Sequence, residues 1–280
     1  PNRWLPHLRT KEFDAHDELK ALAAQQGIPT QVVNDKSLLF GNHGARAWRL
    51  AIAMYAKAGG IPWKLAPIPG VPQDTAYIGL AYAIRRADDQ AHYVTCCSQV
   101  FDTEGGGMQF VAFQANDEIK DLNEAKRNPF LSQSDMRAVL TRSLRLYMDG
   151  HPGRTPRRLV LHKTTAFTES ELQGVRDATQ AIKEVECLEV GAGGAWRGVW
   201  MVDAPGKEPP IQAHGYPVPR GTMVMTTGTS CLLWVAGNAP AATSGRDFFQ
   251  GGKSIPKPIV LRRHMGRGLF DILALEAIAL

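Results

Sequence analysis

Four side chains within the first sixty residues have the chemistry of a phosphate-binding pocket. His16 and Lys20 are four residues apart, so they share one face of a helix. Lysine and imidazolium groups supply charge-assisted hydrogen bonds to a phosphate, and an amide supplies a neutral one. Spacing alone leaves one alternative, a surface lysine beside a histidine that faces the core. The predicted set is His16, Lys20, Gln31 and Lys57.

Two predicted helices and a turn would hold this set. Residues 16–26 read as a helix that ends at Gly27, and Pro29 prevents its continuation. Residues 30–33, "TQVV", predict a short buried strand. Residues 44–60 predict a second helix with a Gly-Gly stop. The pocket is therefore expected where the end of one helix meets the end of another.

A proline-rich segment follows, and after it the pattern changes from helices to strands. Residues 61–73, "IPWKLAPIPGVPQ", contain four prolines and predict an extended connector between two domains, 1–66 and 67–280. Three β-type runs then predict an antiparallel meander. They cover residues 75–86, 91–102 and 107–115.

The remaining pattern predicts an α/β fold with a mixed sheet. Helix 132–151, opened by Ser132 or Ser134, precedes strand 157–165 and helix 168–182. Further strand-like runs lie at 184–190, 196–203, 221–228 and 230–237. A meander, a helix, a strand and another helix follow one another in the order of a ribonuclease H-like fold.

Composition and charge favour a cytoplasmic protein that meets a polyanion. The 280-residue chain has a net charge of +5 and neither a signal peptide nor a membrane-length apolar run. Its four cysteines lack metal-ligand spacing, which favours free thiols in a reducing cytosol. The chain stops inside an apolar helical pattern, which predicts a piece of a longer protein.

Two basic stretches without acidic residues predict contacts to a nucleic-acid backbone. They lie between Asp149 and Glu169 and between Asp247 and Asp271. Basic loops that simply face solvent are the alternative. The predicted contacts are Arg154, Arg157, Arg158, Lys163, Arg262 and Arg263.

These motifs together resemble the junction of the MID and PIWI domains of Argonaute proteins. The resemblance rests on His-x-x-x-Lys, "GIPTQ", "AKAGGIPW", "YIGLAYA", "LVLHKTTAFTESELQGV" and "PKPIVLRRHMG", and spans nearly the whole chain. It implies the end of a Rossmann-like MID domain followed by a ribonuclease H-like PIWI domain. It also implies that His16, Lys20, Gln31 and Lys57 bind the 5′-phosphate of a guide strand.

The same resemblance implies a PIWI domain that does not cut. Where slicing members have Ile-Gly-Ile-Asp, this chain ends the motif with Ala81, and where they have His-Arg-Asp-Gly it places Thr164. Two-metal hydrolysis requires carboxylate ligands at such positions. Ala81 offers no ligand atom and Thr164 offers only a neutral hydroxyl. Lys163 is further expected to repel metal ions from this place.

A non-cutting Argonaute resembles the inactive short prokaryotic members, which implies an expected mode of action. The guide is expected to be RNA, the target single-stranded DNA, and Mg²⁺ at the guide 5′-phosphate is the only metal implied. A TIR, sirtuin-like or nuclease effector, as a partner or fused segment, would act against plasmids or phage. Two alternatives stay open, a protein scaffold and a nuclease with displaced ligands. The displaced ligands would be Asp102, Glu104, Asp117 or Glu118.

Overall fold

The chain forms two compact units, residues 1–64 and residues 65–280. A computed structural model describes residues 14–33, 42–87, 90–105, 107–113, 130–249 and 255–279. Among these residues, no helix combines the length and the apolar composition that crossing a membrane requires.

The first unit contains both predicted helices, α1 (Ala15–Gln25) and α2 (His43–Lys57). Each begins at a capping side chain, because Asp14 accepts a hydrogen bond from the His16 amide and Asn42 accepts one from the Ala45 amide. Gly27 follows α1 with φ at 67°, a left-handed conformation that glycine adopts without strain. The helix predictions are confirmed.

The predicted strand at residues 30–33 is wrong. This segment has no regular secondary structure, and Val32 and Val33 are 49% and 40% exposed. A strand needs a neighbour to satisfy its backbone, and no described strand of this unit lies beside it. The Thr30 carbonyl instead accepts a hydrogen bond from the Lys57 ammonium.

The second unit contains ten strands and three α-helices among the described residues, after a connector without helix or strand at 61–73. The first part consists of β1 (Thr75–Ala87), β2 (Gln90–Phe101), β3 (Gly107–Phe113), α3 (Gln133–Gly150), β4 (Arg158–Lys163) and α4 (Glu169–Ala178). The second part consists of β5 (Glu184–Ala192), β6 (Met201–Asp203), β7 (Ile211–Ala213), β8 (Met223–Thr227), β9 (Ser230–Leu233), β10 (Ile259–Met265) and α5 (Phe270–Ala279).

Eight of the described strands form one mixed sheet in the order β3-β2-β1-β4-β5-β10-β9-β8. The meander β1–β2–β3 is antiparallel, whereas β1, β4 and β5 run parallel to one another. The predicted mixed sheet is therefore confirmed. Strand β10 was foreseen only as a basic segment, yet it fills the place between β5 and β9.

The predicted strand at 196–203 is correct only in its last three residues, and it does not join the main sheet. Strand β6 pairs with β7 in a separate two-stranded sheet, with Met201 opposite Ala213. Gly198 lies so close to Val218 and Trp234 that a Cβ there would be 2.8 Å from Val218 Cγ1. The chain thus packs closely against an apolar cluster at Gly198, before β6 begins.

Helices cover both faces of the central strands. Ile78 and Leu80 of β1 and Leu161 of β4 pack with Val139 and Val175 of helices α3 and α4. The opposite face carries Tyr77 of β1, Val160 of β4 and Leu188 of β5, which pack against Leu273 of α5. Alternate residues of a strand point to opposite faces, so each position on β1 and β4 belongs to one of these two layers.

A buried ion pair attaches α5 to the sheet. The Arg158 guanidinium donates to both carboxylate oxygens of Glu276, with Nη2 2.9 Å from Oε2, and the two side chains are 5% and 0% exposed. Tyr77 Oη donates to Glu276 Oε1 at 2.7 Å. Burial and the neighbouring Glu276 raise the pKa of Tyr77, so the phenol stays a neutral donor. Within this cluster the carboxylate of Glu276 accepts hydrogen bonds from both Arg158 and Tyr77.

Removing Glu276 should therefore destabilise the second unit strongly. Glu276→Ala leaves a buried guanidinium without its carboxylate, and the free energy of unfolding should fall by about 3–5 kcal/mol. Chemical denaturation measures this change. Glu169→Ala is the matched control, because Glu169 pairs with Arg176 at 2.7 Å while 77% exposed, and such pairs contribute about 1 kcal/mol or less. Equal losses in both variants would contradict the role of the buried cluster.

Candidate nucleic-acid interface

The structure joins two members of the predicted phosphate pocket by a direct contact. Lys57, in the last turn of α2, places its ammonium 2.6 Å from the Gln31 amide oxygen and also donates to the Thr30 carbonyl. The Gln31 amide nitrogen donates to the Val32 carbonyl at 3.1 Å. The end of α2 is thus bound to the segment that follows the Gly27 turn.

The other two predicted members, His16 and Lys20, lie one turn apart on α1. His16 is about half exposed, and its Nδ1 lies 2.9 Å from Asp17 Oδ1. Asp14, His16 and Asp17 hold possible metal-ligand atoms within 4.8 Å of one another. Sequence reasoning did not foresee these two carboxylates beside His16, although an acidic N-cap with an acidic first turn is a common start of a helix.

The second predicted feature, the centre of β1, has an exposed alanine. Ala81 pairs with Cys97 of β2 and directly follows Leu80, which lies opposite Lys163 of β4. By strand alternation Ala81 lies on the face of Tyr77 and α5, away from the layer of Leu80. The methyl group at this point supplies no ligand atom.

The neighbouring β4 position on this face carries a neutral histidine. His162 lies opposite Gly79, and a Cβ on Gly79 would meet nothing within 4 Å. Burial lowers the pKa of His162 to about 4, so the imidazole is uncharged at neutral pH. Its Nε2 is buried and has no hydrogen-bond partner within the described part of the chain. This face therefore has neither an acid at Ala81 nor a cation at His162.

The predicted role of Lys163 as a backbone contact and as a metal-repelling charge is wrong. Lys163 is 1% exposed and forms an ion pair with Glu171 of α4, on the face opposite Ala81. Its ammonium also lies 5.0 Å and 5.2 Å from the ring centres of Phe130 and Phe167. Glu171 completes the capping box of α4 with Thr168. A buried, neutralised lysine reaches neither phosphate nor metal.

Arg158 is the second correction among the predicted backbone contacts. It belongs to the buried cluster with Glu276, and although burial alone opposes the charge, the hydrogen bonds and charge of Glu276 raise the pKa of its guanidinium. The acid-free stretch between Asp149 and Glu169 could not reveal a counterion 118 residues away from Arg158. For Lys163, the Thr-x-x-Glu pattern at Thr168–Glu171 is a capping-box signature that could have indicated an acid near the start of α4.

The four other predicted arginines lie at different places on the sheet and do not form one continuous basic surface. Arg154 and Arg157 are exposed before β4, and Arg157 lies 3.7 Å from Glu184. Arg262 pairs with Glu189 of β5. Glu189 is five residues beyond Glu184, the partner of Arg157, which corresponds to about 16 Å along the strand. Arg263 points to the opposite face, where it donates to the Gly268 carbonyl at 2.6 Å and lies 5.0 Å from the Phe270 ring centre.

Two of the four carboxylates of the alternative nuclease hypothesis, Asp102 and Glu104, lie far from Ala81. Asp102 is five residues beyond Cys97, the β2 partner of Ala81, which corresponds to about 16 Å along the strand. It accepts a hydrogen bond from the Glu104 amide at 2.9 Å and lies 4.0 Å from His151. Both acids belong to the turn after β2. Asp117 and Glu118 lie outside the described residues.

Comparison with solved structures identifies the fold. The chain matches Aquifex aeolicus Argonaute with a TM-score of 0.58 and 16% identity, over 96% of this chain and 33% of that protein. It matches Clostridium butyricum Argonaute, solved with a guide DNA and a 19-mer target DNA, with a TM-score of 0.62 and 15% identity, over 92% of this chain and 31% of that protein. No protein-family model and no curated protein sequence matches.

The class of fold follows directly from these matches. The chain has the Argonaute fold of a MID portion followed by a PIWI domain, as the sequence motifs predicted. It spans about a third of the length of the Argonautes that it matches.

The exposed arginines before β4 generate a prediction about salt dependence. If Arg154 and Arg157 contact phosphates, Arg154→Glu with Arg157→Glu should weaken binding of any RNA or DNA sequence. The slope of log affinity against log salt should fall by about 0.7–0.9 for each lost contact. Fluorescence anisotropy over a salt series measures it, and Lys207→Glu, at an exposed position between β6 and β7, is the control. An unchanged slope would mean that neither arginine contacts a phosphate and that both face solvent or a protein partner.

Proposed function

We propose that this chain binds a 5′-phosphorylated guide strand, with RNA as the guide, and uses it to recognise complementary single-stranded DNA without cutting it. One observation carries the proposal. Over 92% of its length the chain shares the fold of an Argonaute that was solved with guide and target DNA, while the centre of its first PIWI-like strand is Ala81.

The contact between Lys57 and Gln31 supports the guide-binding part. A lysine held at the end of α2 beside an amide and a carbonyl presents a cation at a fixed place, as a monophosphate pocket requires. His16 and Lys20 would complete the pocket from α1. The domain assignment that goes with this proposal is a MID portion at 1–66 and a PIWI domain at 67–280.

The arrangement around Ala81 supports the absence of cutting. Two-metal hydrolysis depends on several carboxylates that converge on one place. Ala81 and Thr164 contribute none, Asp102 lies about 16 Å away along the strand, and Glu104 belongs to the turn after β2. The reason is the loss of ligands alone, since Lys163 points away from this face.

A Mg²⁺ ion at the guide 5′-phosphate is part of the proposal. Mg²⁺ prefers oxygen ligands and usually binds to one or two carboxylates together with substrate phosphate. Asp14 and Asp17 supply such oxygens close to His16 on α1. A bound cation would also offset the repulsion between these carboxylates and the phosphate.

A complex that recognises its target without cutting would act through an effector that carries the activity. The proposed partner is an effector of the TIR, sirtuin-like or nuclease type, supplied by a separate or fused segment and directed against plasmids or phage. Any NAD-degrading or nuclease activity would then belong to that segment. To test this part, the full-length protein is purified together with the proteins that bind it. Effector activity is then assayed with and without a matched target.

The pocket assignment predicts a preference for guide 5′-phosphate. Lys20→Ala and Lys57→Ala should each weaken binding of a 5′-phosphorylated RNA by roughly tenfold or more, because one charge-assisted contact contributes about 1.5–3 kcal/mol. A 5′-hydroxyl RNA should be affected much less. Anisotropy titrations with RNA and DNA guides, with Mg²⁺ and with EDTA, measure this preference. Equal losses for both 5′ ends would remove the pocket assignment.

The inactive centre predicts that no cleavage occurs. Guide-loaded protein should leave a matched target intact with Mg²⁺ or Mn²⁺ during a long incubation. Ala81→Asp with Thr164→Asp should give no cleavage or only traces, because two restored acids lack the remaining ligands and their supporting hydrogen bonds. Denaturing gels of labelled target measure the product. Robust cutting at a fixed distance from the guide 5′ end by the unmodified protein would instead support the nuclease alternative.

A further inference from the structure

Helix α3 has a basic outer face, on the opposite side of the main sheet from Ala81. Between Asp135 and Asp149 the helix contains three arginines and no acidic residue. Asp135 is buried, so Asp149 is the only exposed acid of this helix. The three exposed arginines are Arg137, Arg142 and Arg145. The outer face of α3 therefore carries a net positive charge.

Two of these arginines follow one another along the same side of the helix. Arg137 and Arg145 are eight residues apart, slightly more than two turns, which corresponds to about 12 Å along the helix axis. Within the part of the chain that the structure describes, neither guanidinium has a hydrogen bond or an ion pair. Asp149 lies one turn after Arg145, but an acid on the C-terminal side of its basic partner is the less favourable order. Both guanidinium groups thus face solvent and can meet a ligand.

The neighbouring helix α4 neutralises its exposed arginine, whereas α3 does not. On α4, the Arg176 guanidinium donates to Glu169 Oε1 at 2.7 Å. On α3, the residues one turn before and after Arg137 are Gln133 and Thr141, and neither is acidic. Ion pairing within the helix therefore does not account for the arginines of α3.

The chemistry of this face fits a phosphate backbone better than a protein surface. The centre of a protein–protein interface is usually apolar and rich in aromatic side chains. The only large apolar side chain that α3 exposes is Met148, near its end. Arginine binds phosphate through paired hydrogen bonds. One strand of B-form DNA advances about 3.4 Å for each nucleotide, so about 12 Å corresponds to about three or four nucleotides.

We propose that the outer face of α3 is a second nucleic-acid contact, which binds the phosphate backbone of single-stranded DNA beyond the segment that pairs with a guide. This site is separate from the face of Ala81, because α3 itself, about 10–12 Å in diameter with its side chains, lies between this face and the sheet. Phosphate contacts carry no sequence information, so the contact accepts any flanking sequence. Two linked contacts on one strand raise its affinity through effective concentration.

A comparison of two targets tests this contact. Guide-loaded full-length protein is titrated with a matched DNA of the guide's length and with the same DNA extended by long unrelated flanks. The readout is the ratio of the Kd for the short target to the Kd for the extended target, measured over a salt series. The test variant is Arg137→Gln with Arg145→Gln. The matched control is Arg176→Gln, which removes an exposed arginine that Glu169 already neutralises.

We expect the unmodified protein to bind the extended target more tightly than the short one, by about threefold or more at low salt. In the double variant the two Kd values should agree within about a factor of two. The slope of log affinity against log salt for the extended target should fall by about 1.4, which is about 0.7 for each lost phosphate contact. Binding of the short target should stay unchanged in both variants, and Arg176→Gln should keep the full ratio.

Three results would overturn the α3 contact. The first is equal affinity of the unmodified protein for both targets, and the second is a double variant that keeps the full ratio. The third is a double variant that keeps the ratio but loses an effector protein, which would make this face a protein-binding surface. If the unmodified protein does not bind the short matched target, the proposed function fails instead. Titration of the extended DNA without a guide then decides about α3, because equal binding by the double variant and the unmodified protein would exclude the contact.

Discussion

The burial of β1 and β4 on both faces is the constraint on which the rest of this structure depends. Strand alternation assigns each residue either to the layer of α3 and α4 or to the layer of α5. Leu80 and Lys163 belong to the first layer, whereas Ala81 and His162 belong to the second. A one-residue shift would exchange these roles, so the register decides which side chains meet the face of Ala81.

Charges that this packing buries are neutralised inside the protein. Arg158 meets Glu276, and Lys163 meets Glu171, with almost no exposure in either pair. Removing one partner of such a pair leaves a buried charge without its counterion. Both ion pairs are therefore better explained as contacts that hold helices against the sheet than as contacts to a ligand. Of the basic residues between Arg154 and Lys163, Arg158 and Lys163 are therefore not available to contact nucleic acid.

The first unit differs from the second, because its two described helices have no buried residues. In this unit a polar contact connects the end of α2 to the segment after α1. Lys57 joins the end of α2 to the segment after α1 through Thr30 and Gln31, which are distant in sequence from it. An amide, a carbonyl and an ammonium together thus form a small structural joint at the proposed phosphate site.

The sequence by itself determined the helices, the meander and the absence of a carboxylate at Ala81 and Thr164. Glycine and proline signals bounded α1, alternating β-type runs predicted the meander, and no fold could give Ala81 a carboxylate. These features are local, since they depend on residue type and short spacing. Only the tertiary structure decided that Lys163 and Arg158 are buried, that the Gln31 amide oxygen faces Lys57, and that β10 lies beside β5. Each depends on a partner brought close by folding, and the spacing of residues along a chain does not reveal which distant carboxylate will neutralise a given cation.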